Sequence, residues 1–314
     1  MMAGGGRSVR LAVVGTFVSD RVLPWRGPAF SDLGGLIYTL LPLAALCPRG
    51  WQLLPVAHVG ADLWPKLRAK LARLPRVRLD GLRPVGATNN RVTLRYTSAG
   101  DRTEHLAGGV PALGTASLKL AAEADFILLN YVSGMELTLA GWRRLRASGR
   151  SVYADLHSLV LGRRRDGMRY LRRPRSFRER LRGLRYLQLN EVEAACLLGT
   201  RLPLQPRDRR RLRELARRCG IQAVLLTEGE RGAWFAPARG PRPVKVAASG
   251  GPAHEPTGCG DAFAAGFCAA LLLGRSPAQA ARVAVRCAGI KARRRGTRGL
   301  FAAVRRRRDW ILGR

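Results

Sequence analysis

The sequence predicts an α/β fold with a mostly parallel β-sheet and a second, smaller sheet beside it. Short apolar runs alternate with helical patterns along most of the chain, which is typical of parallel strands that helices connect. The chain has 314 residues, of which 46% are hydrophobic, enough to form one large core or two modest ones. Residues 88–106 break the alternation, because two strand-like runs flank Ser98-Ala99-Gly100-Asp101 in the pattern of a β-hairpin.

The elements of the larger sheet follow from the length and period of each apolar run. Short apolar runs bounded by turn residues predict strands, and longer segments with apolar residues three or four positions apart predict helices. The predicted strands are 9–15, 53–59, 126–131, 151–154, 186–189 and 223–227. The predicted helices are 62–74, 115–124, 136–147, 191–198, 207–219, 261–273 and 277–290.

The formal net charge of +35 is extreme for this length. There are 51 arginines and five lysines, and arginines are dense in 161–185 and 291–314. Such a charge has two interpretations. One is a surface that binds nucleic acid or an acidic membrane, and the other is an arginine-heavy surface that steers anionic substrates. Few aromatic residues are interleaved with the arginines, so a surface that stacks bases is poorly supported. We favour the second interpretation and expect no nucleic-acid partner.

The six cysteines and four histidines do not form metal-binding patterns. No two cysteines have the C-x-x-C spacing, so we expect no zinc or iron–sulfur site and interpret most thiols as core residues of a cytoplasmic protein. No apolar run is long enough to span a bilayer, and residues 1–10 lack the apolar segment of a signal peptide. Cys259 is the exception among the thiols, because a position at a helix N-terminus lowers a thiol pKa and favours reactivity.

The most informative segment is the turn Gly258-Cys259-Gly260-Asp261, which runs directly into an apolar helical pattern. Two glycines allow a tight turn and a close approach to a ligand, and the N–H groups at a helix start form an anion site. A carboxylate in the first turn is suited to take a proton from a hydroxyl while charge builds on a phosphoryl group. Taken alone, such a turn could equally cap a buried helix.

With the residues before it, Glu255-Pro256-Thr257-Gly258-Cys259-Gly260-Asp261 resembles the signature of the PfkB/ribokinase family of carbohydrate kinases, usually written Asp-Thr-x-Gly-Ala-Gly-Asp. Glu255-Pro256 stands in place of Asp-Thr, and Cys259 in place of Ala. The resemblance implies a ribokinase-like three-layer α/β/α fold with a small β-sheet lid. It implies one kinase domain over 9–300, with lid elements at about 16–35 and 84–108, and leaves 301–314 as a basic tail.

The resemblance also implies an activity and its residues. Asp261 would be the base, and the amides of Gly258, Cys259 and Gly260 would stabilise the γ-phosphoryl group of ATP during its transfer to a hydroxyl of a sugar or nucleoside. Asn190 and Glu193 match the family's Asn-x-x-Glu, which lies near the nucleotide phosphates and organises Mg²⁺ through water. In isolation they form an ordinary helix N-cap with an acidic first turn.

Further matches concern the nucleotide and the acceptor. Thr227, Gly229 and Gly232 resemble the family's Thr-x-Gly-x-x-Gly at the nucleotide pocket, although a β-hairpin turn has the same pattern. The resemblance places the acceptor at five residues: Asp20, Gly34, Gly35, Thr39 and Asp155. Thr39 stands where the family often has Asn, and Pro42 in the same helical pattern predicts a kink. We therefore expect a remodelled acceptor pocket.

Several alternatives remain open at this point. A non-catalytic regulator that binds a nucleotide or sugar would share the fold, and the altered acceptor pocket is its motivation. A nucleic-acid-associated protein rests on charge alone. The resemblance further leaves open a monovalent cation near the glycine turn and the last helices, and a homodimer formed through the lid.

Overall fold

The structure is a computed structural model that describes residues 8–97, 102–249 and 254–313. The strands are β1 Arg10–Val14, β2 Phe17–Leu23, β3 Phe30–Gly35, β4 Gln52–Gly60, β5 Leu82–Val85, β6 Arg91–Tyr96, β7 Arg102–Ala107, β8 Phe126–Asn130, β9 Ser151–Asp155, β10 Leu161–Arg163, β11 Arg169–Leu171, β12 Tyr186–Asn190, β13 Ala223–Thr227, β14 Ala233–Pro237 and β15 Val244–Val246. The helices are α1 Leu36–Leu46, α2 Trp64–Leu71, α3 Lys119–Ala122, α4 Leu139–Ala147, α5 Phe177–Leu181, α6 Glu191–Leu198, α7 Pro206–Arg218, α8 Cys259–Leu272, α9 Pro277–Ala292, α10 Leu300–Arg306 and α11 Arg308–Leu312.

The larger sheet has nine strands in the order β15-β14-β13-β12-β9-β8-β1-β4-β5. The seven strands from β13 to β5 pair in parallel, and β14 and β15 add an antiparallel edge. This confirms the predicted mostly parallel α/β fold, with each predicted strand present. None of the helices in the described ranges is long and apolar enough to cross a bilayer.

Helices cover the sheet on both faces, which gives the predicted three layers. One hydrophobic core contains α1, α8 and α9 together with alternate strand residues such as Leu11, Tyr153 and Leu225. The other core contains α4, α6 and α7 with the intervening residues, such as Ala12 and Leu187. A strand exposes successive side chains to opposite faces, so strands that are apolar throughout must be covered twice.

A second, four-stranded sheet in the order β3-β2-β6-β7 forms the lid. β2 pairs antiparallel with β3 and parallel with β6, and β6 pairs antiparallel with β7. The predicted hairpin is thus present as β6 and β7, while its predicted turn at 98–101 lies outside the described residues. The lid has its own small apolar cluster around Val22, Leu94 and Leu106.

Two further features concern the burial of helices. α1 continues through Pro42 from Leu36 to Leu46, and each of its residues is buried. Burial of this apolar helix offsets the hydrogen bond that proline cannot donate. Within the predicted basic tail at 301–314, Val304, Ile311 and Leu312 belong to the hydrophobic core, whereas the arginines at 305–307 are exposed.

Two glycines at the ends of α8 provide a matched test of packing. Gly258 and Gly274 both have left-handed φ, 79° and 85°. A Cβ at Gly258 would lie 2.4 Å from the Tyr38 ring, whereas a Cβ at Gly274 would meet nothing within 4 Å. We expect Gly274→Ala to lose about 1–2 kcal/mol of unfolding free energy through backbone strain. Gly258→Ala should lose about 1–3 kcal/mol more through overpacking.

Chemical denaturation of the two glycine variants measures this difference directly. Equal losses at both positions would contradict the close packing of the turn against Tyr38.

Candidate active site

The ends of neighbouring parallel strands bring the polar residues of the site together. Asn130 ends β8 and is the register partner of Asp155, which ends β9. Asn190 ends β12 and is the partner of Thr227, which ends β13. Ligands of open parallel sheets bind at this carboxyl edge, and the first turn of α8 lies across it.

Asp261 lies in that first turn and contacts residues from two other elements. Its Oδ1 accepts hydrogen bonds from the Asn130 side-chain amide and from Thr39 Oγ1, the latter at 3.3 Å. Burial raises the pKa of Asp261, and His157, Asn130 and Thr39 only partly oppose this effect. Thr39, predicted as part of the acceptor site, therefore contacts the carboxylate itself.

The three amide groups of the glycine turn differ in their hydrogen bonds. Gly258 is the N-cap of α8, and the N–H groups of Gly258 and Gly260 have no acceptor within the described parts of the chain. The Cys259 N–H instead donates to Pro256 O at 3.1 Å. Two of the three predicted amides are thus available to an anion in this conformation.

The expectation that Cys259 is a reactive, low-pKa thiol is wrong. Burial raises its pKa to about 11, and the nearby charge of Lys291 opposes this only in part. The sulfur points towards Glu255 O at 3.9 Å. At a buried helix start, desolvation of the thiolate outweighs the favourable helix dipole.

A glutamine missed by the sequence analysis connects Asp155 to the turn. Gln188 is buried in β12, and its Nε2 donates to Asp155 Oδ2 and to Gly260 O, both at 3.0 Å. Its Oε1 accepts from Tyr153. Burial raises the pKa of Asp155 well above its ordinary value. The sequence did contain a signal for Gln188, because it is a polar residue within the apolar strand Tyr186–Asn190. A buried amide requires hydrogen-bond partners, so such a residue indicates a polar contact inside the protein.

Asn190 and Glu193 form a capping box at the start of α6. Asn190 N donates to Glu193 Oε2 at 2.8 Å, and Glu193 Oε1 accepts from Asn190 Nδ2 at 2.6 Å. His157 Nδ1 lies 3.8 Å from the same Oε1. Both carboxylate oxygens are thus already held by protein donors, which fits contact with a metal through water better than direct ligation.

Thr227 ends β13, and Gly229 and Gly232 lie in the turn between β13 and β14. Thr227 Oγ1 donates to Leu189 O at 3.5 Å. Gly232 has φ 92°, and a Cβ there would lie 2.0 Å from Val246 O, so only glycine fits. The intervening Glu228 pairs with Arg209 and Lys245, which fixes the turn between β13 and β14.

Asp20, Gly34 and Gly35 lie on the lid strands that face the site. Burial, with Asp261 next in effect, raises the pKa of Asp20 well above its ordinary value. A Cβ at Gly34 would lie 1.8 Å from Asp20 Oδ2, and a Cβ at Gly35 would lie 2.3 Å from Thr16 O. Gly34 therefore leaves room for the Asp20 carboxyl group, and Gly35 leaves room for the Thr16 carbonyl group, which accepts from Leu36 N at the start of α1.

His157 makes the site sensitive to pH. Burial alone would lower its pKa, but the Glu193 carboxylate, with Asp155 and Asp261, raises the pKa to about 9. Because the folded-state pKa exceeds the unfolded value of about 6.5, the proton on His157 stabilises the fold fully below that value. The stabilisation is lost as the pH rises through the folded-state pKa.

We therefore expect the stability difference between the wild type and His157→Gln to be largest at mildly acidic pH and to shrink above the folded-state pKa. Denaturant titrations across this range measure it, with the exposed His254→Gln as the control that should show no such trend. A difference that grows with pH would contradict the assignment of a cationic His157.

Comparison with known proteins identifies the fold and a partial match to one protein family. Residues 166–302 match the family described as pfkB family carbohydrate kinase. No curated protein sequence matches the chain. Among solved structures, ribokinase from Giardia lamblia has a TM-score of 0.77 at 20% identity, covering 97% of this chain and 100% of that one.

Two further structures of similar fold are those of kinases. A pyrophosphate-dependent kinase in the ribokinase family has a TM-score of 0.76 at 17% identity, covering 91% of this chain and 96% of that one. Burkholderia thailandensis nucleoside kinase, in complex with inosine, has a TM-score of 0.72 at 18% identity, covering 97% and 98%. The chain thus has the ribokinase fold, and the match over 166–302 confirms its predicted resemblance to the PfkB/ribokinase carbohydrate kinases, a class of phosphotransferases.

Proposed function

We propose that the protein transfers the γ-phosphoryl group of ATP to a hydroxyl group of a small sugar-like or nucleoside acceptor. The observation that carries this proposal is the position of Asp261 in the first turn of α8, where the amides of Gly258 and Gly260 have no acceptor among the residues that the structure describes. A base and an anion site adjoin each other there, at the sheet edge where ligands bind in this type of fold.

In the proposed reaction Asp261 accepts the proton of the acceptor hydroxyl group. Both hydrogen bonds from Asn130 and Thr39 go to Oδ1, which leaves Oδ2 to face the hydroxyl. As the proton moves to Asp261, the oxygen bonds to the γ-phosphorus and the bond to the ADP oxygen breaks. The amides of Gly258 and Gly260, with that of Cys259 if the turn adjusts, stabilise the charge on the transferred group.

The other edge residues would hold the nucleotide. Asn190 and Glu193 would order the phosphates, and Thr227, Gly229 and Gly232 would line the nucleotide pocket. Glu193 would hold Mg²⁺ through water, and the ion would supply positive charge that offsets the negative charge of the phosphates. His157, cationic at neutral pH, lies beside Glu193 and adds positive charge to the same region.

The acceptor would lie between the lid and α1. The Asp20 carboxyl group would bind a hydroxyl, while Gly34, Gly35 and Asp155 would shape and orient that side of the pocket. The side-chain oxygens of Asn90 and Asn130 are buried without a hydrogen-bond partner among the described residues. Buried polar atoms are normally paired, and sugar hydroxyl groups would provide the missing donors.

The proposed domain extends over 9–300, with the lid formed from parts of 16–35 and 84–108. Neighbouring structures contain ribose with ATP in one case and inosine in another, so pentoses and nucleosides are the first acceptors to test. Because pyrophosphate serves one structural neighbour as donor, it belongs in the same screen as ATP.

Asp261→Asn tests the proposed base. We expect the variant to lose at least about 10²-fold in turnover, because positioned acid–base groups contribute at least this much. ATP affinity should stay within a few-fold, since the carboxamide has nearly the same shape. The exposed Asp309→Asn is the matched control and should leave turnover unchanged.

Coupled-assay kinetics over a panel of sugars and nucleosides, with ATP binding measured separately, provide the readout. Retention of more than about a tenth of the activity in Asp261→Asn would show that this group is not the base. Clear ATP binding by the wild type without turnover on any acceptor would favour a regulator that shares the fold.

A further inference from the structure

Lys291, near the end of α9, is a fully buried lysine, with a side-chain exposure of 0%. Its Nζ donates to Glu255 Oε2 at 2.9 Å, to Glu255 O at 3.4 Å and to Arg294 O at 2.9 Å. The ring of Tyr38 lies 5.4 Å from the same nitrogen. An ammonium group is thus enclosed by three oxygens and an aromatic face.

Burial of an ammonium group is strongly unfavourable unless it is paired and fully hydrogen-bonded. Here a carboxylate balances the charge, and two backbone carbonyls complete the donor–acceptor contacts. The Tyr38 ring adds a cation–π contact on the remaining side. This shell of two carbonyl oxygens and one carboxylate oxygen resembles the environment of a bound hard cation.

The same carboxylate holds the segment that enters the glycine turn. Thr257 N donates to Glu255 Oε1 at 2.7 Å, and Gly296 N donates to Oε2 at 3.3 Å. The N–H groups of His254 and Glu255 both donate to Ala292 O, at the end of α9. Lys291 therefore connects α9, the loop after it and the residues that lead into Gly258.

The loop after α9 also contacts the lid. Thr297 N and Oγ1 donate to the Asp32 carboxylate on β3, at 2.5 Å and 2.8 Å. Lys70 Nζ donates to Thr297 Oγ1 at 2.8 Å. A continuous set of polar contacts thus runs from the lid through the loop at 294–297 to Glu255 and the glycine turn.

We propose that the ammonium group of Lys291 is an internal cation that positions the glycine turn for phosphoryl transfer, and that it makes the protein independent of a monovalent metal ion there. The effect on catalysis rests on the function proposed above. The monovalent cation left open by the sequence does not fit this position, because the ammonium group already fills it. Glu255 and Lys291 act as one pair in this arrangement.

Two substitutions distinguish the effect of the Lys291 charge from the effect of its side-chain volume. Lys291→Ala removes the ammonium and leaves room for a small cation, whereas Lys291→Met removes the charge but fills the volume. Each variant is measured in potassium, ammonium and choline chloride at equal ionic strength, for turnover and for melting temperature. The exposed Lys66→Ala controls for the general loss of a lysine.

We expect wild-type turnover to be the same in all three salts. In choline, both Lys291 variants should lose on the order of 10²-fold in turnover, because a misplaced anion site has effects of this size. Ammonium or potassium should restore turnover and raise the melting temperature of Lys291→Ala, since ligands of the native state stabilise it. The turnover and melting temperature of Lys291→Met should depend on the salt no more than those of the wild type or Lys66→Ala.

Several results would overturn the proposal: activation of the wild type by potassium, full turnover of Lys291→Met in choline, or equal salt responses of the two variants. If Lys291→Ala does not fold in choline chloride, its refolding in ammonium chloride shows whether a small cation replaces the lost ammonium group. The wild-type turnover in the three salts still tests whether the protein needs a monovalent metal ion. The melting temperatures do not depend on kinase activity. A selective rise in Lys291→Ala without turnover in the wild type would therefore support the internal cation and count only against the kinase proposal.

Discussion

The glycine turn before α8 is the constraint on which the rest of the site depends. For the proposed reaction it must present amide donors at the start of α8 and, from the first turn of the same helix, the Asp261 carboxylate to the same space. A helix N-terminus alone attracts anions, but a base beside it would be repelled by phosphate unless its position and protonation were controlled. Asn130 and Thr39 hold the Asp261 carboxylate, and burial raises its pKa, which suits a group that must accept a proton.

The fold supplies this constraint from three directions. The parallel sheet places Asn130, Asp155 and Gln188 at one edge, where Gln188 contacts the carbonyl group of Gly260. α1 provides Tyr38, against which Gly258 packs without room for a Cβ. α9 provides Lys291, whose Nζ donates a hydrogen bond to Glu255 Oε2. The turn therefore has support from the sheet, from the helix beside the lid and from the C-terminal helices.

Local patterns predicted much of this from the sequence. The bounds of α6 at 191–198 are those expected, because its capping box is entirely local. The apolar runs located six of the seven parallel strands and missed only β5, the short edge strand Leu82–Val85. Contacts between distant residues were not accessible in the same way. The pairing of Thr39 and Asn130 at Asp261, the passage of α1 through Pro42 and the raised pKa of Cys259 all depend on burial by remote elements. Lys291 was counted with the basic surface, since a sequence does not distinguish a buried lysine from an exposed one.

The most direct test of this account is a crystal structure of the protein with a non-hydrolysable ATP analogue, Mg²⁺ and an acceptor identified by screening. The account predicts that the terminal phosphate contacts the amides of Gly258 and Gly260, with Asp261 facing the acceptor hydroxyl group. A terminal phosphate bound elsewhere, such as the arginine-lined groove that contains Arg178, Arg182 and Arg211, would contradict it.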